Sequence, residues 1–397
     1  MVDCDILVIG GGPAGSGAAL AASKAGLSVL MVEKRAEIGA PKRCAEGLSR
    51  SSFERMGFKE PKPEWISRTM IGATVYSPDR NCVKMTHVLG GNEDGWVVDR
   101  KVFDKWLASL AAEAGAKVMA KTEAVSLIKE DGKVTGARLR YRDNEWDVKA
   151  GVVIAADGVE SKIAREAGID TTLKLTDIAS GAQFEMTNID IDPDRLEIYF
   201  DQELAPGGYF WIFPKGKNKA NVGIGVRKPF SKDAAYDYLK KCIETVPGLK
   251  NGSVLEVNSG GVPVGGLLKD MVLDNFMVAG DAAHHANPMH GGGIAEAFVG
   301  GRIAGEVAAE GIAAGNTSKK FLSRYNDRWW KERGNKLMKV YKLKEVIESL
   351  NNEELNWLCH ELQGMNLSDF SSANKFGLLA KILMKKPKLV LLARKLI

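Results

Sequence analysis

The sequence has few of the features that mark secreted, metal-binding or membrane-spanning proteins. Its 397 residues include only five cysteines, an odd number without Cys-x-x-Cys spacing, which argues against disulfides or a zinc site and for reduced thiols. No apolar run approaches the length of a membrane span. The first residues lead straight into a predicted strand and leave no room for a signal peptide. We therefore expect a cytoplasmic protein, and its length suits two closely joined domains.

Acidic residues are missing from the last segment of the chain, residues 374–397. Residues 374–397 contain seven Lys or Arg and no Asp or Glu, mixed with Leu, Ile and Met. This composition is typical of a segment that binds an anionic membrane surface, here the inner face of the cell membrane, where each basic residue contributes about 1 kcal/mol. The alternative is a terminal helix packed on the core with solvated lysines. The basic residues do not extend along a larger face, so we expect no nucleic-acid binding.

The first 35 residues predict a dinucleotide-binding unit. A strand, a helix of small residues and a second strand are predicted at 5–9, 13–25 and 28–32. Gly10, Gly12 and Gly15 form a G-x-G-x-x-G turn that permits close approach of the backbone to a pyrophosphate. Glu33, eighteen residues beyond Gly15, is placed to hydrogen-bond a ribose hydroxyl. With Ala14 these residues form the predicted binding site; a purely structural turn is the alternative.

Two later segments indicate which dinucleotide binds. Residues 152–168 place Asp157 between a predicted strand and helix, and residues 273–298 place Asp281 between a strand and a Gly-rich turn. With the first motif, they resemble the FAD-binding framework of aromatic-ring hydroxylase-like flavoproteins. The resemblance implies that Asp281 holds the ribityl side of FAD and that Asp157 lies near the cofactor. Capping of the following helix is the alternative role of Asp157.

The same resemblance implies further FAD contacts. Gly292, Gly293 and Ile294 end the Gly-rich turn and open a helix, whose N-terminus stabilises the negative charge of reduced flavin. Arg100 opens a predicted amphipathic helix and matches an arginine that approaches FAD, although it could simply be a surface residue that starts a helix. Ala124 offers a backbone contact to the adenine end.

Three histidines, His284, His285 and His290, lie close to Asp281 in the sequence and raise the question of a metal site. The Gly-Asp motif already accounts for the aspartate and the turn. No two of the three have the i, i+4 spacing of a helical ligand pair. We therefore expect no metal.

Two further stretches resemble a narrower family. "PKRCAEGLS" carries Cys44-x-x-Gly47, and "PGGYFWIFP" carries an aromatic motif from Pro206 to Pro214. Both are similar to the geranylgeranyl reductases, flavoenzymes that saturate isoprenoid double bonds, and the resemblance is closest to the archaeal digeranylgeranylglycerophospholipid reductases. It covers nearly the whole chain. Ala295 stands where the hydroxylases usually have asparagine, which supports the reductase assignment.

This resemblance implies FAD-dependent saturation of geranylgeranyl chains in membrane ether-lipid precursors, by hydride from flavin N5 plus a proton. It also implies that Cys44, Ala45 and Gly47 contact FAD. Whether the Cys44 thiol takes part in the chemistry or the loop only presents its backbone stays open. No second G-x-G-x-x-G unit follows, so the electron donor is NADPH bound transiently or a small protein such as a ferredoxin. The alternatives are a hydroxylase-type FAD monooxygenase and a nucleotide-binding protein without redox function.

The aromatic motif predicts a substrate-binding strand. Alternation places Tyr209, Trp211 and Phe213 on one face and Phe210 and Ile212 on the other. An isoprenoid chain leaves the bilayer at little cost only if the protein is nearly as apolar, because each buried CH₂ is worth about 0.8 kcal/mol. We expect one face to contact the lipid; burial of both faces in the core is the alternative. The predicted substrate contacts are Pro206, Tyr209, Trp211 and Phe213.

The predicted fold is mixed α/β: a Rossmann-like FAD-binding domain of the aromatic-ring hydroxylase type, an antiparallel substrate-binding sheet and a helical C-terminal region. The boundaries are FAD-binding segments at 1–75, 95–170 and 271–316, substrate-binding segments at 76–94 and 171–270, and helices at 317–397.

Overall fold

The computed structural model describes residues 3–86, 94–363, 375–386 and 389–390. The chain divides into two compact units. The first comprises Met1–Lys42, Arg100–Leu173 and Pro263–Met338, and the second comprises Arg43–Asp99, Lys174–Val262 and Lys339–Ile397.

The strands are β1 (Cys4–Ile9), β2 (Val29–Val32), β3 (Gly47–Ser49), β4 (Ile66–Met70), β5 (Gly72–Tyr76), β6 (Cys82–Thr86), β7 (Gly95–Val98), β8 (Lys117–Met119), β9 (Glu123–Glu130), β10 (Lys133–Tyr141), β11 (Asn144–Ala155), β12 (Ile178–Thr187), β13 (Arg195–Tyr199), β14 (Tyr209–Pro214), β15 (Lys219–Val226), β16 (Ser253–Pro263), β17 (Val272–Leu273) and β18 (Phe276–Val278).

The helices are α1 (Pro13–Lys24), α2 (Arg50–Arg55), α3 (Arg100–Glu113), α4 (Lys162–Ala167), α5 (Ala235–Thr245), α6 (Ile294–Ala313), α7 (Lys319–Leu322), α8 (Arg324–Trp329), α9 (Asn335–Glu348), α10 (Asn352–Gln363) and α11 (Lys375–Leu383). Short 3₁₀ turns lie at Pro63–Trp65 and Gly280–Ala283, and a π-helical turn at Trp330–Gly334 joins α8 to α9.

The first unit is built on a sheet of order β17-β18-β11-β1-β2-β8, extended by the antiparallel strands β9 and β10. β1 pairs in parallel with both β11 and β2, and its residues Ile6, Leu7 and Val8 are fully buried. Such continuous apolar strands are typical of a parallel sheet that is covered on both faces. The βαβ unit predicted from the first 35 residues is therefore confirmed.

Small residues allow α1 and α6 to pack closely in this unit. A Cβ atom at Gly301 would lie 1.9 Å from the carbonyl oxygen of Ala14, and one at Gly305 would lie 2.3 Å from that of Ala18. The glycines of α6 thus let its backbone approach that of α1.

The second unit contains a sheet of order β16-β12-β15-β14-β13-β5-β6 and a smaller sheet of order β3-β7-β4. β12, β15, β14 and β13 form antiparallel neighbours, and α5 packs on the larger sheet through the buried residues Leu239 and Cys242. The antiparallel sheet predicted for this region is present. Together with the α/β first unit and the helices near the C-terminus, it confirms the predicted fold class.

Helices near the C-terminus form their own apolar cluster in the second unit. Its buried members are Val346, Leu350, Leu355, Leu358, Leu379, Ala380, Ile382, Leu383 and Leu389. The apolar side of α11 is thus packed, while Lys381 and Lys385 are exposed. The basic segment predicted to bind membranes, 374–397, lies partly outside the described residues, at 374, 387–388 and 391–397. Among the helices that the structure describes, none is long and apolar enough to cross a membrane.

The compact units differ in extent from the predicted domains. Residues 43–75 belong to the second unit, and 317–338 to the first. The strand β5, which begins within 43–75, is hydrogen-bonded to β13 of the second unit. The helices α7 and α8, within 317–338, pack on α6 of the first unit. The functional division into FAD-binding, substrate-binding and helical domains stays a prediction.

Candidate functional site

The glycine turn of the first unit is held by close backbone contacts. The N–H of Gly10 donates to the carbonyl of Val32 at 2.8 Å, and its φ of +115° is in the region that favours glycine. A Cβ atom at Gly10 would lie 2.2 Å from the carbonyl oxygen of Ala156, and one at Gly15 would lie 1.8 Å from that of Gly10. Gly10 and Gly15 are therefore required by packing within the protein.

Gly12 has a different role from its neighbours. A Cβ atom there would meet nothing within 4 Å, so packing does not exclude a side chain. Gly12 is the N-cap of α1 and has no side chain to cap the helix. A helix N-terminus attracts anions through its unsatisfied N–H groups. This part of the turn fits a pyrophosphate.

Glu33 follows β2 and is fixed by the backbone. Its Oε2 accepts a hydrogen bond from the N–H of Gly11 at 2.9 Å, and its Oε1 accepts one from the N–H of Arg35 at 2.9 Å. A carboxylate has about four acceptor positions, so two contacts leave capacity for the hydroxyls of a ribose. The position and orientation of Glu33 fit the predicted role.

Asp157 caps the following helix, and its contact with FAD stays a prediction. Its Oδ2 accepts a hydrogen bond from the N–H of Ile163 at 2.9 Å, which caps the first turn of α4. Its Oδ1 is buried and has no hydrogen-bond partner in the part of the chain that the structure describes. Burial raises the pKa of the Asp157 carboxyl. An orphaned buried oxygen is what a donor group of a bound cofactor would satisfy.

Asp281, Gly293 and Arg100 lie near one another. A Cβ atom at Gly293 would lie 3.2 Å from Oδ1 of Asp281. Burial raises the pKa of Asp281, and the charges of Arg100 and His284 oppose that shift. Arg100 starts α3 as predicted and pairs with the buried Asp104 through two bonds of 2.7 Å. The pair fixes the guanidinium in a planar, two-point geometry.

The remaining predicted FAD contacts of the first unit have varied surroundings. Ala14 is buried in α1 against α6, and Ile294 is the buried first residue of α6. Gly292 is exposed, next to His290. Ala124 lies in β9, opposite Leu139. Their contacts with FAD stay predictions.

His285 is a core residue. Its ring stacks on Trp329 at a centroid distance of 3.7 Å, and its Nδ1 accepts the N–H of Gly280 at 3.2 Å. Burial lowers the pKa of His285 to about 3. His284 contacts the carbonyl of Thr171 at 3.2 Å. Among the described residues, no group of three or more His, Cys, Asp or Glu side chains could hold a metal ion.

In the second unit, the two faces of β14 differ. Phe210 and Ile212 are almost fully buried in the core beneath α5. Tyr209, Trp211 and Phe213 are half-buried on the opposite face, with ring centroids 5.6 Å and 6.4 Å apart in sequence order. We call these three rings the aromatic face. The predicted alternation is confirmed, and only the aromatic face offers surface to a ligand.

Residues next to the aromatic face leave room for its rings. A Cβ atom at Gly223 would lie 2.4 Å from the ring of Trp211, so glycine lets the ring lie flat against β15. Pro206 is buried, and its carbonyl accepts the N–H of Arg227 at 3.0 Å. A substrate contact of Pro206 stays a prediction.

The loop of residues 43–47, which we call the Cys44 loop, lies beside the aromatic face. A Cβ atom at Gly47 would lie 2.9 Å from the ring of Phe213. Burial raises the pKa of the Tyr209 hydroxyl, and the nearby Cys44 adds to the shift. Cys44 is half-buried, and its Sγ accepts the N–H of Glu46 at 3.2 Å. The structure thus brings Cys44 and Gly47 together with the aromatic face.

A group of polar side chains at this loop was not predicted from the sequence. Glu46 of the loop binds Lys215 and Asn221, and Lys215 also binds Glu185. Gln183 donates to the carbonyl of Cys44. Four of the five are buried, and the side chain of Lys215 is only 9% exposed. Asn221 interrupts the apolar run "ANVGIGV", and a polar residue within a buried strand is a signal for such a cluster.

Two family models match the chain. Residues 177–262 match the geranylgeranyl reductase catalytic domain, and residues 4–191 match the pyridine nucleotide-disulphide oxidoreductase model. The first contains the whole aromatic face and four of these five polar residues.

Relatives match over the full length. A digeranylgeranylglycerophospholipid reductase of Methanocella arvoryzae is 43% identical over 97% of this chain and 97% of its own. A digeranylgeranylglycerophospholipid reductase 2 of Methanopyrus kandleri is 41% identical over 100% of both chains.

Solved structures show the same fold. A geranylgeranyl bacteriochlorophyll reductase-like protein from Thermoplasma acidophilum superimposes with a TM-score of 0.92 at 38% identity, over 99% of both chains. A flavin-dependent brominase superimposes with a TM-score of 0.73 at 21% identity, over 92% of this chain and 91% of its own. The second likeness shows the fold alone.

Proposed function

The chain belongs to the geranylgeranyl reductase family, and from this premise we propose that it saturates the isoprenoid double bonds of digeranylgeranylglycerophospholipids, precursors of membrane ether lipids, as an FAD-dependent oxidoreductase. The observation that carries the proposal is the aromatic face of β14, which stays half-buried beside the Cys44 loop while the other face of the strand fills the core. Such a row of rings can bind a long apolar chain that offers no hydrogen-bonding group to the protein.

The first unit supplies the cofactor-binding residues of this proposal. Gly12 and the N-terminus of α1 would hold the pyrophosphate, Glu33 would accept from the ribose, and Asp281 would accept from the ribityl chain. Gly292 and Gly293, which precede α6, would contact the flavin through their backbone. The N–H of Gly292 itself donates to Nδ1 of His290 at 3.1 Å. When bound and reduced, FAD supplies a hydride to one carbon of the double bond while an acid supplies a proton to the other.

The second unit binds the substrate in this proposal. An isolated alkene has no carbonyl that could store negative charge, so the protein must contribute positioning and exclusion of water. Tyr209, Trp211 and Phe213 provide rigid apolar surface for this purpose. Because each CH₂ is worth about 0.8 kcal/mol on leaving water, an aromatic surface exchanges the chain with a bilayer at little net cost.

We propose that Cys44 contacts the cofactor and supplies or relays the proton. Its thiol is half-buried and receives a backbone N–H, and the aromatic face lies beside its loop. Replacement by Ser or Ala should lower turnover far more than FAD affinity. Unchanged turnover in Cys44→Ala would remove the thiol from the chemistry and leave the loop as a backbone contact.

The test of the proposed activity is anaerobic incubation with vesicles of a digeranylgeranyl glycerophospholipid and a chemical reductant, followed by mass spectrometry. We expect the lipid to gain two hydrogen atoms for each double bond reduced. An absolute requirement for oxygen would instead indicate a monooxygenase. Purified protein that is colourless and cannot be reconstituted with FAD would contradict any flavin chemistry.

The electron donor is proposed to be NADPH or a small iron–sulfur carrier such as a ferredoxin. Bleaching of the bound flavin by one donor and not the other, under anaerobic conditions, identifies it. Reduction by neither would contradict both.

We also propose that the basic C-terminal segment touches an anionic membrane. Lys381 is exposed on α11, whose apolar side is packed, so its charge is available to a lipid surface. Lys381→Gln should weaken binding to anionic vesicles by about fivefold, since one basic residue contributes about 1 kcal/mol. Lys24→Gln, an exposed lysine in α1, is the control. Equal binding of both variants and the wild type would contradict a membrane contact of Lys381.

A further inference from the structure

Buried polar side chains connect the larger sheet of the second unit to the Cys44 loop. Glu46 and Asn221 are fully buried, and Gln183 is 4% exposed. Apolar residues at these positions would pack against the aromatic face without needing hydrogen-bond partners. Buried polar groups are kept where they fix a particular geometry, which is one attested use of such groups.

Side chains of the larger sheet form hydrogen bonds to three successive residues of the loop. Nε2 of Gln183 donates to the carbonyl of Cys44 at 3.0 Å. Nδ2 of Asn221 donates to the carbonyl of Ala45 at 3.1 Å and to Oε2 of Glu46 at 2.8 Å. The loop is therefore fixed through its backbone as well as through a side chain.

Lys215 neutralises the buried carboxylate of Glu46. Its Nζ lies 2.8 Å from Oε2 of Glu46 and 3.1 Å from Oε2 of Glu185. Lys219 lies 2.6 Å from the other oxygen of Glu185, and its side chain is 38% exposed against 9% for Lys215. Within the part of the chain that the structure describes, Lys219 forms no ion pair with Glu46. A buried carboxylate needs an opposite charge and hydrogen bonds, and Lys215 provides the charge.

These contacts hold Glu46 in a conformation that a non-glycine residue rarely adopts. Its φ is 74°, and such left-handed backbone persists only where the surroundings over-determine it, often at functional sites. In this conformation the N–H of Glu46 donates to Sγ of Cys44 at 3.2 Å. The environment of the thiol thus depends on where the Glu46 side chain is held.

One side chain joins the loop to the aromatic face. Oε1 of Gln183 accepts the indole N–H of Trp211 at 3.2 Å, while its Nε2 binds the carbonyl of Cys44. Phe213 lies against Gly47 at the other end of the loop. A displacement of the loop would therefore also break a bond to the ring of Trp211.

We propose that Gln183, Lys215 and Asn221, which we call the polar clamp, are positioning residues that fix the Cys44 loop against the aromatic face for alkene reduction. This inference rests on the proposed function of that face. An alkene offers no charge by which the protein could orient it, so the rate depends on geometry, and a misplacement of about 1 Å can cost about 100-fold.

The test compares Lys215→Met with Lys219→Met. Both lysines bind Glu185, but only Lys215 also binds Glu46. In Lys215→Met we expect kcat for the lipid to fall by at least about tenfold, and the affinity for FAD to fall by a smaller factor. Alkylation of Cys44 by iodoacetamide, followed by mass spectrometry of its peptide, should accelerate about fivefold or more because the loop opens. Lys219→Met should behave as the wild type in both measurements.

A second variant keeps the test valid if Lys215→Met does not fold because a charge is left buried. The double variant Glu46→Gln with Lys215→Met removes that charge and retains an acceptor for Asn221. It should fold and still show lowered kcat and faster alkylation. Wild-type values of both would overturn the proposal.

The other outcomes are also decisive. Faster alkylation with unchanged kcat overturns the proposal, since the clamp would then hold the loop without serving the reaction. If the wild type reduces no isoprenoid lipid, the proposed function fails by itself. The alkylation rates then decide separately whether the clamp positions the loop: a rise in Lys215→Met supports that role, and equal rates contradict it.

Discussion

The glycine turn of the first unit and the aromatic face of the second are built in opposite ways. In the turn, missing side chains make the site: Gly10 and Gly15 let backbone atoms approach each other, and Gly12 leaves the N-terminus of α1 open. At the aromatic face, large side chains make the site, and Gly47 and Gly223 only leave room for their rings. The charged pyrophosphate of a cofactor suits a rigid site made of backbone N–H groups. A flexible isoprenoid chain suits an apolar surface made of side chains.

The largest expected effect separates the two faces of β14. Phe210→Ala should lower the free energy of unfolding by about 3–5 kcal/mol, because Phe210 is fully buried in the core. Trp211→Ala, on the half-buried aromatic face, should lower stability less and reduce kcat/KM for the lipid more. Denaturant unfolding and lipid turnover of both variants measure this. An equal loss of stability with no separate effect on turnover would contradict a substrate role for the aromatic face.

The next effect separates the glycines of the turn. In Gly15→Ala the new Cβ would lie 1.8 Å from a backbone oxygen, so the protein should lose about 3 kcal/mol of stability. In Gly12→Ala the new Cβ meets nothing within 4 Å, so the apoprotein should keep its stability while FAD affinity falls about tenfold. Thermal unfolding of the apoproteins and flavin titration test both. Wild-type FAD affinity in Gly12→Ala would show that no phosphate lies there.

A smaller effect is expected where the Cys44 loop meets the rings. Gly47→Ala places a Cβ atom 2.9 Å from the ring of Phe213. The ring is a side chain and must move by a few tenths of an ångström, so we expect kcat to fall about tenfold with little change in stability. Gly266→Ala, whose Cβ would meet nothing within 4 Å and whose backbone is not in the left-handed region, controls for glycine replacement in general. Full activity of Gly47→Ala would show that the contact with Phe213 is not needed.

The effect furthest from both sites concerns the dependence of stability on pH through His285 in the first unit. Burial lowers its pKa from 6.5 to about 3, so between these values the unfolded chain binds a proton that the folded protein does not. The stability from neutral His285 is present above pH 6.5 and is lost as the pH falls toward 3. Its slope is at most about 1.4 kcal/mol per pH unit.

The matched variant is His285→Gln, which cannot titrate. The free energy of unfolding of the wild type minus that of the variant should fall as the pH drops from about 6 to about 4. Denaturant unfolding at several pH values measures this difference. Parallel curves for the two proteins would contradict the lowered pKa of His285.

Local patterns explain which parts of the site were predictable. The glycine spacing, Glu33 and the alternation of residues 209–213 are encoded within short segments, and all were found in the expected elements. The aromatic face could be recognised because four of five consecutive residues are aromatic.

Local patterns indicate only one member of the polar clamp, Asn221, which interrupts an apolar run. In β12, Gln183 alternates with the buried Phe184, and such alternation usually places the polar residue in solvent. Here its partner, the carbonyl of Cys44, lies 139 positions away in the sequence. The burial of Gln183, Lys215 and Asn221 follows from that long-range contact, as does the membership of residues 43–75 in the second unit.

Reduction of the lipid by the bound flavin is tested most directly by anaerobic rapid mixing of the reduced flavoprotein with vesicles of digeranylgeranyl glycerophospholipid. We expect the absorbance of oxidised flavin to return in step with the addition of two hydrogen atoms per double bond, and Trp211→Ala to slow this return without altering FAD binding. Reduced flavin that stays reduced in the presence of the lipid, but is oxidised as soon as oxygen is admitted, would contradict the proposed reduction of the lipid.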